Sequence, residues 1–322
     1  MRRQTGIALG VAALLAGCAP LPAPLTSAPP TSGAPESSPR PWGAPGDLGE
    51  NGRTVQRSPE SAAMVAYYAQ VERTLKSRGL MRKDVAPRDA AFRKWELVDD
   101  FVAIALYDEY DSGMNARVTP SKLRRWETPV RLAVEFGASV PEAQRAEDRA
   151  MVTAYAGQLA RASRHPVGVV RTGGNFNVLV VNEDERRALG PRLQQLVPGI
   201  TAATIAAITD LPPSTFCMAF AFSDGAAPVY TRAIAVIRAE HPRDLRQSCF
   251  HEELAQGLGL ANDSPEARPS IFNDDEEFSL LTRHDELLLR ILYDPRLRPG
   301  MTEEQARPIV QTIADELLGP DA

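Results

Sequence analysis

The chain has 322 residues, 43% of them hydrophobic and 24% charged, with a formal net charge of -5. Its charges form no basic stripe, which argues against nucleic acid as a partner. The length allows one large domain or two small ones with a proper core.

The N-terminal stretch MRRQTGIALGVAALLAGC sets Arg2 and Arg3 before an apolar run, Ile7 to Leu15. That run is too short to span a bilayer as a mature helix. It ends in Leu15-Ala16-Gly17-Cys18, which resembles the lipobox of bacterial lipoproteins. The resemblance implies a signal peptide over 1–17 and a lipidated Cys18. Its acyl chains would hold the protein to a membrane, each buried methylene adding about 0.8 kcal/mol. Ala19 rather than an aspartate after the cysteine implies the outer membrane, facing the periplasm. Residues 18–57 are rich in Pro, Ser, Gly and Ala, and are expected to form a semi-extended tether. Beyond the signal region no second long apolar run appears, so the body is expected to be soluble.

Ser58-Pro59-Glu60 has the form of a helix start, and Met64, Val65, Tyr68, Val71 and Leu75 recur at helical spacing up to Gly79. This gives an N-terminal helical segment over 58–95. A second helix is expected through LVDDFVAIALYDEY, whose pattern also permits a strand. TPVRLAVEF alternates as a strand, PEAQRAEDRAMVTAYAGQLARAS is a long helix, and Gly173-Gly174 turns into the buried strand NFNVLVVN. DERRALGPRLQQL and ITAATIAAI suggest short helices, FCMAFAF and RAIAVIRAE strands. A helix follows from about Leu245 to Gly257, and LTRHDELLLRILYD and MTEEQARPIVQTIADELL give two more. Mixed elements without an internal repeat indicate an α+β class for 96–322.

Apart from Cys18, the cysteines are Cys217 and Cys249. An even pair in an oxidising compartment is expected to form a disulfide, pinning the entrance of the Leu245–Gly257 helix to the FCMAFAF strand.

The stretch SCFHEELAQGLGLAND, 248–263, begins a zinc-protease HExxH word at His251, but Ala255 stands where the second histidine belongs. Shifted by one residue, E-E-L-A-Q-G-L-G-L-A-N resembles the metzincin peptidases, which carry H-E-x-x-H-x-x-G-x-x-H or D. The resemblance puts Glu252 and Gln256 at the first two metal-ligand positions, Glu253 at the general base and Gly259 at the turn. Asn262, or Asp263 one residue on, falls at the third ligand. Residues four apart share a helix face, so Glu252 and Gln256 can aim at one spot, and a left-handed glycine can swing a third group back. Downstream, Ser270-Ile271-Phe272 resembles the metzincin Met-turn with Phe272 in place of methionine. Asp285, Leu289, Leu292 and Tyr293 resemble the helix that follows. The implied fold is metzincin-like: a mixed twisted sheet, a long active-site-type helix and a helical C-terminal subdomain. His251, about 100° round the helix from Glu252, is expected to be partly exposed or to support the site; Gly259 and Phe272 are expected to support it.

The chain also resembles a family of proteobacterial lipoproteins known only as a domain of unknown function. That likeness spans most of 95 to 305. It rests on Cys249, Glu252-Glu253-Leu254, Gln256, Leu258-Gly259-Leu260, Asn262-Asp263, Ser270 to Asp274 and Leu292 to Met301.

A carboxylate and two amides make a harder and weaker ligand set than histidines, so ordinary zinc is not expected; any divalent metal would be one that prefers oxygen. The leading expectation is a catalytically degenerate pseudopeptidase that binds a protein or peptide at the cell envelope. Alternatives are an active metal-dependent peptidase with unusual ligands and Glu253 as base, a purely structural module, and a peptidoglycan-binding lipoprotein. His165, His241 and His284 are expected to have surface roles, and Asp274-Asp275-Glu276-Glu277 to form a solvated loop that could alternatively hold Ca²⁺.

Overall fold

The computed structural model describes residues 57–110 and 116–319. The expected signal peptide, Cys18 and almost all of the expected tether fall outside the described residues. The first helix, α1 (Pro59–Ser77), is capped by Ser58, whose side chain accepts from the Ser61 N–H. Next come α2 (Lys94–Ala105) and the hairpin strands β1 (Tyr107–Tyr110) and β2 (Ala116–Pro120). The helix expected to run through Tyr110 therefore ends at Ala105. Ser121 N–H then bonds the Leu106 carbonyl as β2 returns.

A six-stranded sheet carries the rest. Short β3 (Arg125–Trp126) and β4 (Val130–Phe136) precede the long α3 (Glu142–Ser163), which crosses to β5 (Val167–Val169) and leads on to β6 (Phe176–Val181). After β6 come three short helices: α4 (Glu183–Arg187), α5 (Gly190–Leu196) and α6 (Ala202–Thr209). They lead into β7 (Cys217–Ser223) and β8 (Val229–Arg238), then α7 (Arg243–Gln256), α8 (Arg283–Leu292) and α9 (Glu303–Leu318). β5, β4, β6 and β8 lie side by side and parallel, as expected of strands joined by crossovers. β7 runs antiparallel to β8 over Tyr230–Ile237, the stretch that β6 also pairs. β6 and β7 must then take opposite edges of β8, which leaves β7 as an edge strand among the described residues. All six residues of β6 are buried, as befits a strand covered on both faces. The class is thus mixed α and β, with helices interleaved among the strands.

The N-terminal segment packs onto this body. Ser61 Oγ donates to Glu240 Oε1 at 2.6 Å, Tyr68 Oη donates to the Pro213 carbonyl, and Glu72 accepts from the Leu245 N–H at the start of α7. Further along, Met81 and Arg82 donate their N–H groups to the carbonyls of Glu276 and Glu277.

Two devices fix α7 beneath the sheet. Cys217, the first residue of β7, is disulfide-bonded to Cys249 with their Cα atoms 5.8 Å apart, as the cysteine pattern led us to expect. Arg246, 4% exposed, donates from Nε to the buried Asp148 of α3 at 2.7 Å. The turn Ser270–Phe272 hangs on one carboxylate. Asp285 accepts from Ser270 Oγ at 2.6 Å, from the Ile271 and Thr282 N–H groups and from Thr282 Oγ1.

His241 and His284 are buried, not superficial. His241 lies edge-on against both Tyr68 and Phe216, and burial pushes its pKa well below the usual value. His284 Nε2 sits 3.0 Å from Asp100 Oδ2 and Nδ1 3.7 Å from Asp285 Oδ1. His165, half-buried, contacts the Thr128 carbonyl.

Reduction of Cys217–Cys249, or the Cys217→Ala/Cys249→Ala pair, removes a cross-link over 32 positions and should destabilise the fold by about 3 to 4 kcal/mol. Thermal melting with and without reductant reads this out; equal melting points would contradict it. For His284, burial alone would lower the pKa, but the two carboxylates outweigh it and raise it from 6.5 to about 9. A folded pKa above the unfolded one makes the stabilisation complete below about 6.5 and lost as pH rises through about 9. The unfolding free energy measured in urea should therefore decline across that window, and His284→Gln should flatten the decline. An undiminished slope in the variant would rule the ion pair out as its source.

Candidate functional site

A groove of about 810 Å³ opens between β7 and the C-terminal half of α7. It touches five consecutive strand residues, Cys217 to Ala221. Successive side chains of a strand point to opposite faces, so contact with all five means the groove runs along the free edge of β7. Opposite this edge, α7 presents Glu252, Glu253 and Gln256, with Asp263 beyond the helix end. The loop before α8 adds Asp274 and Glu276, and the far side adds Asp108, Arg124 and Tyr230. Leu75 of α1 reaches one end of the groove, so α1 borders it.

The helix ends where it does because of Gly257 and Gly259. A Cβ on Gly257 would meet Phe176 Cζ at 2.3 Å, so the glycine lets α7 close onto β6. Gly259 takes φ +125°, and a Cβ there would lie 2.4 Å from the Arg124 carbonyl oxygen. Both constraints call for glycine. The carbonyls freed at the helix end are not left bare: Trp126 Nε1 donates to Gly257 O at 2.8 Å and Tyr293 Oη to Leu258 O at 2.9 Å.

Past Gly259 the chain turns back, and the expected residues separate. Gln256 Nε2 donates to Asp263 Oδ1 at 3.1 Å, so these two meet at the groove beside Glu252. Asn262 does not join them. Its N–H and Nδ2 donate to the Ile104 and Ala103 carbonyls, and so it caps the end of α2 from a buried position. His251 is buried and also turned away: its ring stacks on Tyr155 at 3.9 Å, and Nδ1 accepts from the Leu281 N–H at 3.0 Å. Burial lowers its pKa to about 3, so it stays neutral there. Phe272 is wholly buried within the turn that Asp285 holds. Glu253 is 3% exposed at the groove wall.

Carboxylates dominate the electrostatics. Burial, then the charges of Glu253, Asp263, Glu276 and Asp274, push the Glu252 carboxyl well above its ordinary pKa. Glu276 is raised to about 7 by burial and by Asp274 and Asp275. The acidic run is therefore divided rather than uniformly solvated: Glu276 faces the groove, whereas Glu277 is paired with Arg82 and Arg268. Asp108, Arg124, Tyr230 and Glu276 carry no motif that names them; only the acidic run hinted at Glu276.

The residues present do not suit zinc. A sulfur of Cys217 lies within 4.8 Å of carboxylate oxygens of Glu252 and Glu253, but that sulfur is spent in the disulfide. No histidine lines the groove among the described residues, and the Gln256 amide nitrogen is turned to Asp263. What remains is a set of oxygens, without the imidazole or thiolate that a zinc centre uses.

Among the described residues no helix is long and apolar enough to cross a membrane. No curated protein and no solved structure matches the chain. One family model matches residues 94–312, from the start of α2 into α9, under the description "Protein of unknown function (DUF2927)". That span takes in the whole sheet, α7 and every described groove residue except Leu75, and the chain belongs to this family.

Proposed function

We propose that this protein is a lipoprotein anchored through Cys18, at the outer membrane and facing the periplasm, whose domain is a catalytically degenerate metallopeptidase-like module. Its groove binds an extended protein or peptide segment, which adds to the open edge of β7 as a further strand. One observation carries this reading. Glu252 and Gln256, one helical turn apart, face an open groove bordered by a strand edge unpaired among the described residues, while His251, the residue before Glu252, is turned into the core. The metzincin-like scaffold is supported by the parallel strands with an antiparallel edge over the groove, by the left-handed Gly259 and by the buried turn at Phe272. Asn262 departs from that pattern, since it braces α2. Without zinc no bound water is brought to a pKa near 7, and Glu253 has no activated water to deprotonate.

Elemental analysis of the full chain purified without chelators should find zinc and manganese far below one per chain. Peptide hydrolysis should stay at background and be unaffected by Glu253→Ala. Stoichiometric metal that disappears in Glu252→Ala or Gln256→Ala, together with hydrolysis abolished by Glu253→Ala, would replace this reading with an active peptidase. Radiolabelled palmitate should label the chain and fail to label Cys18→Ser; equal labelling would refute the anchor.

A further inference from the structure

We infer that the segment held along the edge of β7 carries a lysine or arginine, whose side chain enters the groove between Glu252, Asp274 and Glu276. The inference rests on the peptide-binding reading above and adds the chemistry of the occupant. It stands on charge complementarity. Among the described residues, six carboxylates line the groove, Asp108, Glu252, Glu253, Asp263, Asp274 and Glu276, beside one cation, Arg124; Glu253 and Asp263 have interactions of their own, so the unmet charge is that of Glu252, Asp274 and Glu276. Arg124 is already committed, since it pairs with Asp108 and donates to Ser121 Oγ.

The contrast with the next residue sharpens the point. Glu277 is neutralised by Arg82 at 2.8 Å and Arg268 at 2.6 Å, on the outer side of the same loop. Glu252, Asp274 and Glu276 form no ion pair with any described cation. Glu252 and Glu276 are also half-buried, so water screens their mutual repulsion only in part. A flexible four-carbon ammonium or a guanidinium fork reaching in from a bound strand supplies the missing charge with charge-assisted hydrogen bonds. Backbone pairing along Cys217–Ala221 gives the segment its register.

The probe is a capped, fluorescein-labelled peptide of alternating valine and threonine with one central lysine. It is compared with the same peptide bearing norleucine, and with the lysine peptide methylated on alternate backbone nitrogens. Anisotropy titrations use the full chain with EDTA present. The lysine peptide should bind about tenfold tighter than the norleucine peptide, a factor within reach of one charge-assisted pair. That gap should close in Glu252→Gln and in Asp274→Asn, the second being an exposed loop position where folding is not at stake; melting curves confirm that both fold. Equal binding of lysine and norleucine peptides, both weakened by backbone methylation, would overturn this inference and leave the groove reading standing. Binding by none of the three would overturn both. A lysine preference that persists in both variants, or one that needs added Ca²⁺ in place of EDTA, would also overturn the inference.

Discussion

The fold turns on the position of one helix that must be buried on almost every side and still offer one stripe to an open groove. Nine of the fourteen residues of α7 are buried, among them Arg246, His251 and Glu253. A helix of such polarity cannot sit in a core by hydrophobic burial alone. Each polar group needs a partner, and several are met across the interface: Arg246 by Asp148, His251 by the Leu281 N–H and by the ring of Tyr155. The disulfide then fixes the helix against the very strand that forms the opposite wall. Because both walls share one covalent tie, the spacing between the β7 edge and the carboxylates is a property of the core rather than of mobile side chains.

The C-terminal end of the helix is governed equally tightly. Gly257 lets Phe176 come close, and Gly259 passes under the Arg124 carbonyl. Trp126 and Tyr293, from elements far apart in sequence, take up the freed carbonyls. Only after this reversal do Gln256 and Asp263 meet. The Asp285 knot around Ser270–Phe272 sets the next stretch of chain, from which Asp274 and Glu276 reach the same space.

Much of this could be read along the chain because it is local. Periodicity placed α1, α3, β4, β6 and the pair β7 and β8 close to where they lie, and cysteine parity joined Cys217 to Cys249. What escaped was set by distant partners. The apolar run after Leu97 continues past Ala105 with the same texture, and only the return of β2 makes Tyr107–Tyr110 a strand. Two- and three-residue strands such as β3 and β5 are too short to show a period. His284 has an ordinary helix-start sequence around it, and its burial depends on Asp100, 184 positions away. Asn262 had the spacing of a ligand, yet the nearby end of α2 offered two carbonyls in need of donors.

The groove itself is a place where local energetics and the global fold disagree. Carboxylates gathered on three segments repel one another, and the shift of Glu252 well above its usual range is burial first, and that repulsion second, expressed as proton affinity. The same chain shows on Glu277 how readily arginines can be placed against an acidic side chain. A protein that supplies such partners on one side of a loop and withholds them on the other keeps a charge imbalance at some expense in stability. Imbalances of this kind are expected where a sequence serves something besides folding. A cation brought by a partner, as proposed above, would relieve it only while bound, which would turn the cost of the empty groove into affinity for the occupied one.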